Sequence, residues 1–73
     1  MRVTYDERAD KAYIGFTREA SRVQDTYGLE RRLNEGVTIT LNFGFDDRLV
    51  GIEVLEASKS LPPELLEEAE KIG

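Results

Sequence analysis

Three carboxylates are the side chains best suited to chemistry in this sequence: Asp6, Asp10 and Glu53. Together they could bind Mg²⁺ through oxygen ligands or act as a general acid and base. Asp10 follows Asp6 by four residues, so one helical turn would place both on the same side. In the structural alternative, Asp6 and Asp10 cap a polar turn and Glu53 pairs with an arginine on a sheet. We favour this alternative, because no nucleophile or glycine-rich loop accompanies the carboxylates.

The composition excludes most other catalytic chemistry. The chain has 73 residues and contains neither Cys nor His. Thiol nucleophiles, zinc–thiolate sites, disulfides and Ser-His-Asp triads are therefore excluded. We predict a protein that is not an enzyme and binds no cofactor or metal.

Charge is distributed unevenly along the chain. The net charge is -5, which disfavours binding to nucleic acid. Residues 61–73 hold four glutamates and one lysine, a balance of -3, whereas residues 1–60 hold eleven acids and nine bases, a balance of -2. This C-terminal region could meet a basic partner or simply form a solvated helix face. Its charged residues are Glu64, Glu67, Glu68, Glu70 and Lys71.

Three smaller groups of residues have both a functional and a structural interpretation. Asp46-Asp47 could ligate a cation, but a turn suffices to explain the pair. Three tyrosines could anchor a partner or pack on the sheet: Tyr5, Tyr13 and Tyr27. Four arginines form the only basic concentration in the sequence: Arg18, Arg22, Arg31 and Arg32. They could contact nucleic acid, but no interleaved aromatic residues or helix-turn-helix pattern support this, and surface ion pairs with Glu30 and Glu35 are the simpler role.

Nothing in the sequence indicates a membrane. No apolar run approaches the ~20 residues that cross a bilayer, and the N-terminus lacks the apolar segment of a signal peptide. We therefore expect a cytoplasmic protein.

Hydrophobic periodicity predicts five strands and one helix. Alternating apolar residues place strands near 2–5, 11–17, 22–29, 37–43 and 49–55. The last two should form a hairpin, with Asp47 in the left-handed region of the turn. Pro63 suits the first turn of a helix near 63–72, whose stripe of Leu65, Ala69 and Ile72 would lie on the sheet.

These elements predict an α+β fold: an antiparallel four- to five-stranded β-meander with one C-terminal helix packed on one face. Residues 1–73 should form a single domain. The opposite face of the sheet would be mixed in character, and a mixed face is either a partner surface or solvated sheet. Its residues would be Tyr13, Gly15, Thr38, Thr40, Asn42, Leu49, Gly51, Glu53 and Leu55.

Three stretches together resemble a known family. They are the pattern YD-x-x-x-D-x-x-YI from Tyr5 to Ile14, the strand sequence LVGIE from Leu49 to Glu53, and the later pair Ala57-Ser58. This combination resembles domain-of-unknown-function family 2283 (DUF2283), a family of small prokaryotic proteins. The resemblance implies a β-meander with a C-terminal helix. It implies no agreed activity, although some members look like antitoxins encoded beside a small toxin. The motif residues are Tyr5, Asp6, Asp10, Tyr13, Ile14, Gly51, Ile52, Glu53, Ala57 and Ser58.

Size, charge and resemblance together favour a non-enzymatic protein-interaction module, antitoxin-like, that binds a small basic protein. Self-association through a sheet face or an edge strand is compatible with this function. The alternative is a carboxylate-based metal-binding or hydrolytic mini-enzyme that uses Asp6, Asp10 and Glu53. The expected partner-surface residues are Tyr13, Thr38, Thr40, Glu53, Glu64, Glu67 and Glu68.

Overall fold

The computed structural model describes residues 1–17, 25–30 and 37–73. Within these ranges the chain forms six strands and two short helices, which confirms the α+β class. In chain order, the elements are β1 (Arg2–Asp6), β2 (Lys11–Gly15), β3 (Asp25–Glu30), β4 (Val37–Phe43), β5 (Leu49–Leu55), α1 (Ala57–Ser60), α2 (Pro63–Glu68) and β6 (Glu70–Ile72).

The hairpin of β4 and β5 has the bounds that the sequence predicts. The strands pair antiparallel, with Ile39 opposite Val54 and Leu41 opposite Ile52. Asp47 in the turn has a φ of 63°, so its predicted left-handed conformation is confirmed. The two apolar pairs share one face, and a one-residue slip would turn their side chains to the other face. The register shifts between Asn42 and Phe43, so that Phe43 pairs with Leu49.

The order of strands in the sheet differs from the predicted meander. The order is β3-β4-β5-β2-β1-β6, so β2 lies beside β5 and does not pair with β3. The described part is thus a three-stranded meander, β3 to β5, that meets the β1–β2 hairpin along β5. Each pairing from β3 to β1 is antiparallel. The alternation pattern identifies strands but does not reveal which of them are neighbours.

The prediction of one helix near 63–72 was wrong. Helix α2 ends at Glu68, and Ala69 turns the chain to an extended conformation, with φ -67° and ψ 150°. The next three residues form β6, which pairs parallel with β1. The sheet is therefore mixed, and it has six strands in the described residues instead of the expected four to five. A ten-residue helix is marginal in water, whereas the free edge of β1 offers unpaired backbone groups to the same residues.

Both helices lie on one face of the sheet, which we call the helix face. Their buried residues Ala57 and Leu66 join Ala12 of β2 and Val54 of β5 in one apolar cluster. Ala12 and Ala57 are fully buried, and their small side chains let α1 approach the sheet closely. Tyr5, Ile52 and Leu61 pack against this cluster. Among the described residues, no helix has the length and apolarity that crossing a bilayer requires.

The remaining strand predictions differ from the structure at their ends. β1 extends one residue further than predicted, to Asp6, and β2 ends at Gly15 instead of residue 17. Phe16, which lies within the predicted strand, follows the observed end of β2 and is 42% exposed. β3 begins at Asp25 and runs to Glu30 at the sheet edge. The predicted residues 22–24 lie outside the described ranges, as do Arg18, Arg22, Arg31 and Arg32.

Candidate functional site

Asp6 organises the turn between β1 and β2. Its Oδ1 atom accepts hydrogen bonds from the backbone N–H groups of Arg8, at 3.0 Å, and Ala9, at 3.2 Å. This is the turn-capping arrangement that the sequence predicts for Asp6. One of its two carboxylate oxygens is therefore committed to the local backbone.

Asp10 was predicted to cap its own turn, but its side chain bonds to residues outside that turn. Its Oδ1 atom accepts hydrogen bonds from the Tyr5 hydroxyl, at 2.8 Å, and from the Ser58 backbone N–H, at 2.9 Å. Its Oδ2 atom accepts a hydrogen bond from the Ser58 hydroxyl, at 2.6 Å. We call the side chains of Tyr5, Asp10 and Ser58 the Asp10 latch, because they join the β1–β2 turn to helix α1 across 48 positions of sequence.

The latch acts as the N-terminal cap of α1. The residue before the helix, Glu56, makes no side-chain capping bond and has a φ of 50°. Asp10 also has a positive φ, 53°, and its backbone carbonyl accepts the N–H of Ala57 at 2.9 Å. A single residue of the distant turn thus satisfies the first two N–H groups of the helix, which otherwise have no intrahelical partner.

The hydrogen bonds of the latch favour the ionised form of Asp10. The bonds from Ser58 and Tyr5 lower the pKa of the Asp10 carboxyl below its ordinary value, against a smaller opposing effect of burial. The same bond to Asp10 raises the pKa of the Tyr5 hydroxyl. At neutral pH the latch therefore consists of a carboxylate, a neutral phenol and a neutral serine, a combination suited to holding an element in place.

A different set of predicted residues lies on the opposite face of the sheet, which we call the far face. Tyr13 of β2 pairs with Glu53 of β5, and Glu53 pairs with Thr40 of β4. Because directly paired residues share a face, these three side chains form one row across the sheet. Thr38 belongs to β4, but its side chain is outside the described part of the structure.

The Tyr13 ring lies over two glycines of the far face. A Cβ atom at Gly51 would overlap the hydroxyl end of the ring, and one at Gly15 would lie 3.2 Å from Cε2. Gly15 and Gly51 are directly paired, so together they form a shallow bed for the aromatic side chain. This contact explains why position 51 is a glycine, because any side chain there would occupy the space of the Tyr13 ring.

The three motif carboxylates make separate contacts in the structure. Asp10 points to Ser58, Asp6 holds the turn, and Glu53 lies in the middle of the far face. In residues 1–17, 25–30 and 37–73, no group of three or more carboxylates is placed to hold a metal ion. Nor does any described arginine form an ion pair with Glu53, which the structural alternative predicted.

The three glutamates predicted as partner contacts lie on α2. Glu64, Glu67 and Glu68 are exposed, and their i, i+3, i+4 spacing places them on one side of the helix. The two other charged residues of this region, Glu70 and Lys71, make contacts within the chain. Glu70 forms an ion pair with Arg2. The Lys71 ammonium donates hydrogen bonds to three backbone carbonyls at the end of α2, those of Leu66, Glu67 and Ala69.

An open depression at one end of the sheet is a feature that sequence reasoning missed. It encloses about 610 Å³ and is lined by residues that include Phe16, Phe45 and Leu49. Phe45 is 65% exposed in the β4–β5 turn. The alternation pattern assigns Phe16 to a strand, and Phe45 belongs to a turn, so periodicity does not bring the two residues together.

The part of the chain that matches a known family contains most of these features. The model of a family described as "Protein of unknown function (DUF2283)" matches residues 2–58. The match includes the Asp10 latch and the far-face row, and it ends before α2 and β6. No curated protein and no solved structure matches the chain. Since the match spans most of its length, the chain belongs to the DUF2283 family, as its motif residues indicate.

Proposed function

We propose that this chain is a non-catalytic protein-binding module whose partner is a small basic protein, in the manner of an antitoxin. The observation that carries the proposal is the acidic side of α2. Glu64, Glu67 and Glu68 point away from the core, and none has an ion-pair partner among the described residues. Three unpaired like charges on one short helix cost stability, which a cationic partner would recover.

The Asp10 latch supports a binding role over a catalytic one. The carboxyl with the most polar contacts has both oxygens committed to Tyr5 and Ser58 of its own chain. These bonds also lower the pKa of the Asp10 carboxyl, which makes it a weaker general base at neutral pH. We therefore assign the acidic motif residues Asp6 and Asp10 to folding.

The far face offers a second contact surface for the partner. The ring of Tyr13 is held against Gly15 and Gly51, so it loses little conformational freedom on binding. Tyrosines fixed in this way are frequent anchors at protein interfaces. Glu53 and Thr40 beside it supply polar contacts in the same row.

The test is co-expression with the protein encoded by the neighbouring gene. We expect the two proteins to co-purify, and we expect this chain to restore growth when the neighbour inhibits it. Neutralising the acidic side of α2 with E64Q, E67Q and E68Q should weaken the complex at low salt more than at high salt, because exposed charges are screened.

A matched control removes three exposed acids from other parts of the surface: E7Q, D46N and D47N. This variant has the same net charge as the α2 triple variant. It should retain binding, since its substitutions lie outside α2. Absence of a complex with the neighbouring protein, or equal weakening by both triple variants, would contradict the proposal.

A further inference from the structure

Exposed apolar side chains gather at one end of the sheet, in the open depression described above. Five large apolar residues are exposed in the described part of the chain, and three of them line this depression: Phe16, Phe45 and Leu49. Single exposed apolar residues are ordinary on a protein surface, whereas a group of them around one depression is typical of an interaction site.

The β4–β5 turn holds Phe45 in a fixed position beside the depression. The Gly44 N–H donates to the Arg48 carbonyl at 2.9 Å, and the Asp47 N–H donates to the Gly44 carbonyl at 3.1 Å. The Asp46 carboxylate accepts a hydrogen bond from the Arg48 N–H at 3.1 Å. Because these bonds fix the turn before any partner is met, Phe45 loses little conformational freedom on binding.

The rim of the depression carries charges of both signs. Asp46 and Arg48 line it and form an ion pair at 3.6 Å, in which the Arg48 side chain remains 85% exposed. Asp47 is exposed in the same turn and has no ion-pair partner among the described residues. One short stretch of surface therefore combines a projecting phenylalanine with an apolar depression, and an exposed arginine with an unpaired carboxylate. A surface that carries both halves of each contact is complementary to itself.

We propose that two copies of this chain form a symmetric dimer through this end of the sheet. The contact region, which we call the sheet-end patch, comprises Phe16, Phe45, Asp47, Arg48 and Leu49. Phe45 of each copy enters the depression of the other. Asp47 follows Phe45 by two residues in the same turn, so it meets Arg48 at the rim of the other copy. Two-fold symmetry repeats both contacts, as in most homodimers.

The acidic helices do not oppose this arrangement. β5 runs from Leu49 at the depression to Leu55 before α1, about 20 Å at the ordinary rise of a strand. Leu66 anchors α2 in the cluster with Val54 and Ala57, near the α1 end of β5. This separation exceeds the Debye length of about 8 Å at physiological salt, so the glutamates of the two copies are largely screened from each other. The dimer goes beyond the proposed function, since it involves no second protein and leaves the acidic side of α2 uncovered.

Sedimentation equilibrium of the original chain and of F45S tests the dimer. We expect the original chain to dimerise between about 10 µM and about 1 mM, as suits a small interface. F45S should raise the dissociation constant at least about tenfold, because the central apolar contact is lost from both copies. The control is I72S, which removes an apolar residue that is 47% exposed on β6, in register with Asp6 and far from the depression. It should leave the dissociation constant unchanged.

A charge exchange tests the same contact without altering Phe45. R48E places a glutamate opposite Asp47, and D47K places a lysine opposite Arg48, so each variant alone should associate about tenfold more weakly than the original chain. An equimolar mixture of the two variants should recover the dimer, because opposite charges then meet at both contacts. A mixture that associates no better than either variant alone would contradict this arrangement.

The original chain and the apolar variants also give outcomes that would overturn the proposal. One is an original chain that stays monomeric up to about 1 mM. Another is equal weakening by F45S and I72S. If the original chain is monomeric and F45S instead loses the complex with the neighbouring protein, the depression binds that protein and not a second copy.

Discussion

Two regions of the molecule are held together by different kinds of contact. The body of the fold comprises β1, β2, β4, β5 and α1, and the C-terminal arm comprises residues 63–73, which contain α2 and β6. In the body, an ionised carboxylate with three hydrogen bonds ties a turn to a helix far away in sequence. The arm rests on a three-residue parallel pairing, the buried residues Leu66 and Ala69, and an exposed ion pair. The family motif is concentrated in the body, so the comparison suggests that the motif residues are chiefly those that hold the body together.

Replacing Asp10 by alanine is expected to have the largest effect. The substitution removes the acceptor of three hydrogen bonds and leaves the Ser58 N–H at the start of α1 without its capping partner. We expect the free energy of unfolding to fall by about 2 kcal/mol, a large share of the ~3–5 kcal/mol typical of so small a core. Urea denaturation of the original chain and of D10A measures this difference in the free energy of unfolding. Alanine at Glu7, exposed in the same turn, should cost less than about 0.5 kcal/mol, and equal costs at the two sites would contradict the latch.

Replacing Gly51 by alanine tests the second contact of the body. The new methyl group would displace the Tyr13 ring, at a cost of about 1–2 kcal/mol. The cost should be less than half as large in a Y13A background, where no ring lies over the glycine. Denaturation of the four proteins of this double-mutant cycle provides the measurement. A cost that is the same with and without the ring would assign Gly51 a different role.

Replacing Glu56 by glycine should stabilise the boundary between β5 and α1. Glu56 has a φ of 50°, a conformation that glycine adopts without steric penalty. We expect a gain of about 0.5–1 kcal/mol in the free energy of unfolding. Alanine at the same position keeps the strain and should give no gain. If glycine and alanine behave alike in thermal unfolding, the strain at Glu56 is negligible.

Replacing Glu70 by glutamine should have the smallest effect and should sharpen the contrast with Asp10. Both partners of the Arg2–Glu70 ion pair are more than half exposed, so solvent screens their attraction. The loss should not exceed about 0.5 kcal/mol. E68Q, which removes an exposed acid of α2, is the control. A loss at Glu70 as large as that of D10A would show that the arm depends on charge as much as the body does.

Local rules were sufficient to predict several parts of the fold. Alternation of apolar residues gave the bounds of β4 and β5, and the preference of aspartate for turns gave the roles of Asp6 and Asp47. In each case the decisive contacts join residues close in sequence. The glutamates of α2 were also predicted on a helix, because Pro63 and the apolar residues between them are a local helical signal.

The contacts that define the candidate site could not be predicted in this way. The bonds between Asp10 and Ser58, and the packing of Tyr13 on Gly51, join residues far apart along the chain. The resemblance marked all four residues as a pattern without giving the partner of each. The change from helix to strand after Glu68 was missed because it depends on the free edge of β1, which no local window contains.

The Asp10 carboxylate is a structural cap held in its ionised form. The most direct test of this cap compares the free energy of unfolding of the original chain and of D10N from pH 7 down to pH 2. Because the folded-state pKa of Asp10 is lowered, its stabilising effect should be complete above the ordinary aspartate pKa of about 3.9 and should disappear as the pH falls through the lowered pKa. The difference between the two proteins should therefore shrink in acid. A difference that stays constant over this range, or that is absent at pH 7, would contradict the account.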